Sequence, residues 1–539
     1  MIGWENPAPA STGQRPDAVA SDRSASSLQP PVPRSLLRYA PVFVLLAAVV
    51  ADSVQQADTD LWIHIRFGQF LLHTGHLLRR DIYSYSAPGS PWSNHEWLTD
   101  VVMALFYQAG GVVGLKLMKF LCAAAIMALL AMGTAETGAE YPVQLASLLL
   151  AALGLRLQIQ FRPQLFDYIL LSALLAMLAR ESHGRRARLW LAVPMMALWA
   201  NLHGGFLIGL AVLGLYTAVV AVEDQLAGRG WRRTTELAVL TAAAFVATLF
   251  NPFGIGEWYV TIGKFSEPIV ASGRNVEFQS LFHQLAKPGS GLAMFYICVF
   301  PMVMTAATLI TFVLTPRRDD LTLMAIAIAM ICGWLYAMRN MAFAVIACTA
   351  PLARHLSLVA ASPTDSVEQP PHDTVAHAQP ALQIVALVLA VFVAAFGNIF
   401  SPSLPIYMNY PVGAVAFMQR NHLSGNILST YQWGGYIVWH EVPPSKVFID
   451  SFESRFPPAV QYDYLHFMSG GSDSAQVLER YPHDYVLVPA SSRPYLLIAK
   501  RNDWVLIYRD SVCALFARAG SAAAALTPVT ATAPPSFFP

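Results

Sequence analysis

The feature that most constrains this chain is a series of apolar runs, each close to the length of a bilayer crossing, that recurs from residue 35 to residue 400. A hydrocarbon core about 30 Å thick needs about 20 mostly apolar residues in a helix. Eleven candidate spans meet that pattern: 35–51, 113–133, 143–159, 166–180, 189–201, 204–222, 236–252, 291–314, 321–337, 341–356 and 383–400. The stretch 97–110 is apolar but short. It is expected to be interfacial or partly inserted, because counting it as a crossing breaks the charge pattern of the loops. Composition agrees with a membrane as solvent: 55% of the 539 residues are hydrophobic and 12% charged, with mean hydropathy +0.47. A net charge of +1 gives no reason to expect a nucleic-acid partner.

Short loops that carry Lys and Arg tend to stay in the cytoplasm. Three such loops, 181–188 (ESHGRRAR), 228–233 (GRGWRR) and 316–320 (PRRDD), fall on one side under this count. The N-terminus is then expected in the cytoplasm and the C-terminus outside, with the protein integral to the cytoplasmic (inner) membrane. Residues 1–34, rich in Ser, Pro, Ala and Arg, read as a disordered cytoplasmic tail. The transmembrane domain covers 35–400, with 52–96 its first outer loop and 357–381 a cytoplasmic linker without a core. From 401 to 518 short strand-like runs (YIVWH, KVFID, YVLVP, WVLIY) predict a small extracytoplasmic α/β domain. The Ala-, Thr- and Pro-rich tail 519–539 is expected to be disordered. The fold class is thus an all-α polytopic membrane protein of about 11 transmembrane helices with a small α/β domain at its C-terminus.

Polar side chains at membrane depth are costly and default to functional roles. Here they gather on one face. The first outer loop contains DTDLWIH, with Asp58, Asp60 and His64, and NHEW, with His95 and Glu96. The turns QFRPQLFD (Arg162), NLHGG (Asn201, His203), NPFGIGEW (Asn251) and AMRNM (Arg339, Asn340) fall on the same side. Structural roles compete for each residue. Asp58 or Asp60 could cap the following helix, the arginines could snorkel to headgroups, and His203 beside two glycines could serve a tight reversal. The coincidence of five turns on one face favours a site. In the C-terminal region Trp433, Tyr436, Trp439, Asp450 and Arg455 could contact a glycan or polymer acceptor, or could form strand core; Gly434–Gly435 suggests a bulge or close packing. Four of the five cysteines (Cys122, Cys298, Cys332, Cys348) lie in apolar runs, and no CxxC spacing indicates structural zinc.

The segment DTDLWIHIRFGQFLLHTGHLLRRDIYSYSAPGSPWSNHEWLTD resembles the first loop of GT-C glycosyltransferases, a class that includes protein mannosyltransferases, aminoarabinose transferases and oligosaccharyltransferases. In that class an acidic residue after the first span opens a juxtamembrane helix that ends in a small turn; here Asp60 would open it and Thr74–Gly75 would end it. The chain lacks the WWD-type motif of oligosaccharyltransferases, which argues against transfer to asparagine. His95–Glu96 also replaces the Lys-Pro pair of aminoarabinose transferases.

The resemblance implies transfer of a sugar from a polyprenyl-phosphate donor to a glycan, lipid or protein acceptor outside the cell, with membrane lipid as surroundings. Such chemistry needs a base, for which Asp60 is the expected residue, with Glu96 and Asp58 as the other catalytic candidates. It needs cations for the phosphate, expected to be Arg339 and Arg162, and sugar-binding groups, expected among His64, His95, Asn201, His203 and Asn340. Asp58, Asp60 and Glu96 could also ligate Mg²⁺ or Mn²⁺, and a zinc reading would use Asp60, His64 and His95. The competing classes are a lipid-linked-sugar transporter or flippase, and a non-catalytic scaffold of the same fold.

Overall fold

A computed structural model describes residues 46, 56–272, 276–315, 320–360, 401–406, 409–441, 444–471 and 474–539. The expected spans 35–51 (except Leu46) and 383–400, the 1–34 tail, and residues 361–381 of the expected linker lie outside the described residues. The start of that linker is corrected, since 357–360 continue a helix.

Helix α1 (Leu61–Thr74) starts after Asp60 and stops at Gly75, whose φ of 67° lets its amide donate to the Leu71 carbonyl. It buries Leu61, Trp62, Ile63, His64, Ile65, Phe67 and Gly68, so its first two turns are enclosed on nearly every side. Gly68 is required there: a Cβ would stand 2.0 Å from the Asp100 carbonyl oxygen. Helix α2 (Trp97–Glu136) is broken at Gly110–Gly111, where Gly111 takes φ 56° and ψ −136°, a conformation only glycine adopts readily. The break separates 97–109 from 112–136.

The bundle continues through α3 (Tyr141–Leu155), α4 (Gln164–Ser182), α5 (Ala192–Leu202), α6 (Phe206–Leu226), α7 (Arg232–Ala247), α8 (Gly256–Gly263), α9 (Gly291–Leu314), α10 (Leu321–Tyr336) and α11 (Met341–Ala360). Each expected span within the described residues coincides with one of these helices. By length and composition alone, four described helices could cross a membrane: Trp97–Glu136, Phe206–Leu226, Gly291–Leu314 and Met338–Ala360. The protein is an integral membrane protein, and three further described helices, Tyr141–Leu155, Leu189–Leu202 and Leu321–Tyr336, are apolar but shorter.

Hydrogen bonds sort the helix ends into two groups. At one end Glu136 accepts from Arg180 at 2.6 Å and Arg185 at 2.9 Å. Ser182 meets Thr322 at 3.0 Å, and Asp320 meets His355 at 2.9 Å. At the other end lie the turns that carry the candidate residues, together with the C-terminal domain.

That domain begins with β1 (Leu404–Pro405), α12 (Val412–Arg420), β2 (Asn426–Ser429), α13 (Tyr431–Glu441) and β3 (Lys446–Val447). It continues with α14 (Pro458–Ser469), α15 (Ser474–Arg480), β4 (Tyr485–Pro489), α16 (Arg493–Ile498), β5 (Trp504–Arg509), β6 (Cys513–Arg518), β7 (Val529–Thr530) and β8 (Phe537–Phe538). One sheet has the order β3-β2-β4-β6-β5-β7, parallel from β3 to β4 and antiparallel across β6; β1 and β8 pair separately. The first loop extends this sheet at its β3 edge, where Val447 donates to the Tyr83 carbonyl and Tyr85 to the Val447 carbonyl, both at 3.1 Å.

Two expectations for this region are corrected. YIVWH is helical, within α13, because Gly434 and Gly435 let a helix sit closely. A Cβ on Gly434 would lie 2.5 Å from the Ile449 carbonyl oxygen, and one on Gly435 would lie 3.3 Å from that of Thr59. The glycines therefore serve packing. The tail 519–539 is built into the fold: β7 pairs with β5, and Phe538 is buried against Trp62 with ring centroids 5.1 Å apart.

Candidate functional site

The DTD turn ahead of α1 holds two carboxylates in different situations. Asp58 is buried and accepts from Arg162 through Nε at 2.7 Å and Nη2 at 2.6 Å. Arg162 also pairs with Glu277. This fork-like guanidinium contact joins the turn before α4 to the first loop and the loop after α8. Asp60, half-buried, accepts from the Thr59 hydroxyl at 3.0 Å, lies within reach of the Ser451 side chain, and makes no side-chain cap to α1. Burial first, and the Asp58 charge second, raise Asp60 above the usual carboxylate range, against the pull of His64 and Arg162.

One turn along α1, His64 bonds Asp100 at 2.6 Å, and Asn94 donates to the other Asp100 oxygen at 2.6 Å. The same buried layer contains Glu96, which lies 3.3 Å from His203 and 3.6 Å from His95. His203 is held through Nδ1 by Asp167 at 2.5 Å, and Asp167 also accepts from Trp199 at 2.6 Å. Gly205 in the NLHGG turn makes room, since a Cβ there would come within 2.3 Å of the Asp167 carboxylate. Burial opposes ionisation of Glu96, but His95, His64 and His203 outweigh it and hold its pKa down at about 2. Burial takes the His95 imidazole down to about 4. His64 is opposed by burial yet lifted to about 9 by its bond to Asp100.

Lys264, in the turn Lys264–Ser266 after α8, was not singled out by the sequence, because an isolated lysine in a long loop has no pattern. It is half-buried, its charge reaches His95, Glu96, Glu267, Glu277 and Glu453, and it has no ion-pair partner among the described residues. Glu257, in the first turn of α8, and Glu267 each leave one buried carboxyl oxygen without a hydrogen-bond partner among the described residues. Burial raises them to about 9 and about 7, and raises Glu453 of the C-terminal domain to about 8. Asp100, Asp167 and Glu277 were also missed, although Asp167 stands inside the QFRPQLFD motif.

Arg339 stacks over Phe278 with its guanidinium carbon 4.5 Å from the ring centroid, and has no ion-pair partner among the described residues. Asn201 and Asn340 are tied to the scaffold. Asn201 accepts from Trp97 at 3.0 Å and donates to the Ala197 carbonyl at 2.7 Å, while Asn340 donates to the Gly333 carbonyl at 3.0 Å. Asn251 folds back on its own turn, donating to Thr248 and Gly254. Each of these asparagines thus braces a local turn.

The donor set expected for Mg²⁺ or Mn²⁺ does not converge. Asp58 is committed to Arg162 and Glu96 to imidazoles, and no group of three metal-ligating side chains exists among the described residues. The zinc set of Asp60, His64 and His95 does not converge among the described residues either. In the C-terminal cluster Asp450 and Arg455 are fully buried and paired with each other. Arg455 also meets Asp81 at 3.2 Å and is ringed by Phe67, Tyr83, Trp92 and Phe456. It pins the first loop to the sheet domain and has no surface for a glycan. Trp433 and Tyr436 are core, and Trp439 packs on Tyr107 and Phe538.

No family model matches the sequence, and no curated protein matches it significantly. Solved structures do. The oligosaccharyltransferase AglB of Archaeoglobus fulgidus, in complex with an inhibitory peptide and a dolichol-phosphate, is 13% identical; the match covers 84% of this chain and 69% of that one, with TM-score 0.51. The apo oligosaccharyltransferase of the same organism matches with TM-score 0.51 and 13% identity over 90% of this chain and 75% of that one. ArnT of Cupriavidus metallidurans bound to undecaprenyl phosphate is 15% identical, covers 90% of this chain and 98% of that one, and has TM-score 0.49. The chain shares the fold of the GT-C membrane glycosyltransferases.

Proposed function

We propose that the protein transfers a sugar from a polyprenyl-phosphate donor to a hydroxyl acceptor, at a site between the first loop, the loop after α7 and the C-terminal domain. The observation that carries this reading is the contrast inside the DTD turn: Asp58 is spent on Arg162, whereas Asp60 is left with a hydroxyl partner, a raised pKa and a cation-rich surround. Asp60 takes the proton of the acceptor hydroxyl. The acceptor oxygen bonds to the anomeric carbon as the bond from that carbon to the phosphate oxygen breaks, and the phosphate leaves with the electron pair. A base whose pKa is raised above the usual carboxylate range suits this step.

The leaving phosphate needs fixed positive charge, which is the electrostatic term that usually weighs most in such catalysis. Arg339 and Lys264 supply it in this reading. Arg162 does not, because two carboxylates already take its fork, and it acts by holding Asp58 and Glu277 in place. Glu96 and its histidines form a buried, hydrogen-bonded floor that can orient sugar hydroxyls through His95 and His203. The dolichol-phosphate in the Archaeoglobus fulgidus AglB structure is consistent with a lipid-phosphate ligand here. The 97–109 segment, cut from the rest of α2 by its glycine break, lies at the interface in this arrangement, with the sheet domain outside and the basic loops in the cytoplasm.

The deciding experiment is Asp60→Asn in membranes supplied with lipid-linked sugar. Loss of transfer with unchanged folding and polyprenyl-phosphate binding supports the enzyme. Undiminished transfer would remove Asp60 as base, and wild-type transport of lipid-linked sugar without transfer would favour the flippase.

A further inference from the structure

The C-terminal tail closes a second cavity, away from the DTD turn. About 290 Å³ in volume, it lies between α12 and α13 and is walled by Val412, Val415, Gln419, Tyr436, His440 and Phe537, with Pro535 and Pro539 on the tail side. That is near the small end of ligand pockets, which run from about 300 Å³. The tail is held there from both sides: β8 pairs with β1, and Phe538 sits among Trp62, Tyr107 and Trp439 while its neighbour Phe537 is half-exposed at the cavity.

The chemistry of the wall limits the ligand. No lining side chain carries charge at neutral pH, since burial takes His440 down to about 4 and keeps it neutral. A phosphate would find no cation among these side chains. Aromatic and proline faces (Tyr436, Phe537, Pro535, Pro539) offer flat apolar surfaces, while the Gln419 side-chain carbonyl, its Nε2 donating to the His440 carbonyl at 3.3 Å, and the His440 imidazole offer polar groups. Buried His440 Nε2 has no hydrogen-bond partner among the described residues. Flat C–H faces edged by hydroxyls are the complement of such a wall, and a neutral sugar ring has that shape.

We infer that the cavity between α12, α13 and the tail is a subsite for a neutral carbohydrate, holding one or two residues of the acceptor glycan apart from the transfer site. The inference rests on the transferase reading for its acceptor, and on the cavity wall for its ligand class. It also gives the ordered tail a purpose: the tail forms one wall of the subsite.

The test uses the full chain in lipid nanodiscs, titrated with maltose, mannobiose, cellobiose and xylobiose and followed by saturation-transfer NMR. Wild-type protein is expected to bind at least one of them, with Gln419→Ala and Phe537→Ala each weakening it about tenfold, a loss of about 1.4 kcal/mol. Polyprenyl-phosphate binding should stay unchanged in both variants, which also reports that they fold. Failure of all four sugars to bind would overturn the inference, as would wild-type affinity in both variants. The outcome is separable from the Asp60→Asn test, because sugar binding at this cavity does not need transfer.

Discussion

At the bundle end away from the sheet, Glu136 holds Arg180 and Arg185, Asp320 holds His355, and Asp224 accepts from Thr234 at 3.0 Å. At the sheet end Arg162, Asp58 and Glu277 are just as firmly matched, but Lys264, Arg339 and Asp60 stand near them without ion-pair partners among the described residues. Matched charges tie helix ends together, and their removal should cost stability. Unmatched half-buried charges cost stability where they stand, so their retention points to a ligand that completes them. The two ends share residue types and differ in whether opposite charges are used up.

Four perturbations break or sharpen that contrast. Asp60→Asn should have the largest effect, lowering sugar transfer by about 10²- to 10⁴-fold with thermal unfolding unchanged, as expected for loss of a general base. An equal loss of stability would instead place Asp60 among the matched charges. Arg162→Ala should do the reverse. It strands two carboxylates and should cost about 2–3 kcal/mol, less than a fully buried pair because the arginine is partly exposed. Thermal melting in detergent measures this, and an unshifted melt with abolished donor binding would return Arg162 to the phosphate.

Lys264→Met should weaken polyprenyl-phosphate binding about tenfold, with more of the loss seen at low salt, while leaving the melt nearly unchanged. Insensitivity of binding would exclude this lysine from the donor site. The smallest effect is on pH dependence. Asp60 must be ionised to accept a proton, so transfer should rise with pH through a pKa above the usual carboxylate range. Asp58→Asn removes a neighbouring negative charge and frees Arg162, and both changes lower the Asp60 pKa. The acid limb of the rate profile should therefore move to lower pH, and a shift upward would contradict the assignment. Stability should respond separately. Glu267, raised to about 7 by burial, keeps its proton in the folded state while the unfolded chain loses it near pH 4.5. Its contribution is complete below that pH and is lost as pH rises through about 7.

The sequence placed the helices well, because a bilayer-length apolar run has few alternatives to a helix. It also placed the polar turns together: Arg162 meets Asp58 and His203 meets Glu96 across 104 and 107 residues of chain, counted as 162 − 58 and 203 − 96. It misjudged α13, where aromatic and β-branched residues read as strand, and it misjudged the tail. In both cases the deciding contacts are distant: Ile449 and Thr59 for the glycines of α13, and Trp62 for Phe538.

What the sequence determined by itself was the solvent, the helical class, and the turns on which costly polar residues collect, since transfer free energy and charge bias act locally along the chain. Only the tertiary structure decided which of those residues remain available. Asp58 and Asp60 are two positions apart and chemically alike; one is consumed by an arginine from another helix turn and the other is not. That difference depends on which charges end up within a few ångströms of each other, and separation along the chain carries no record of it.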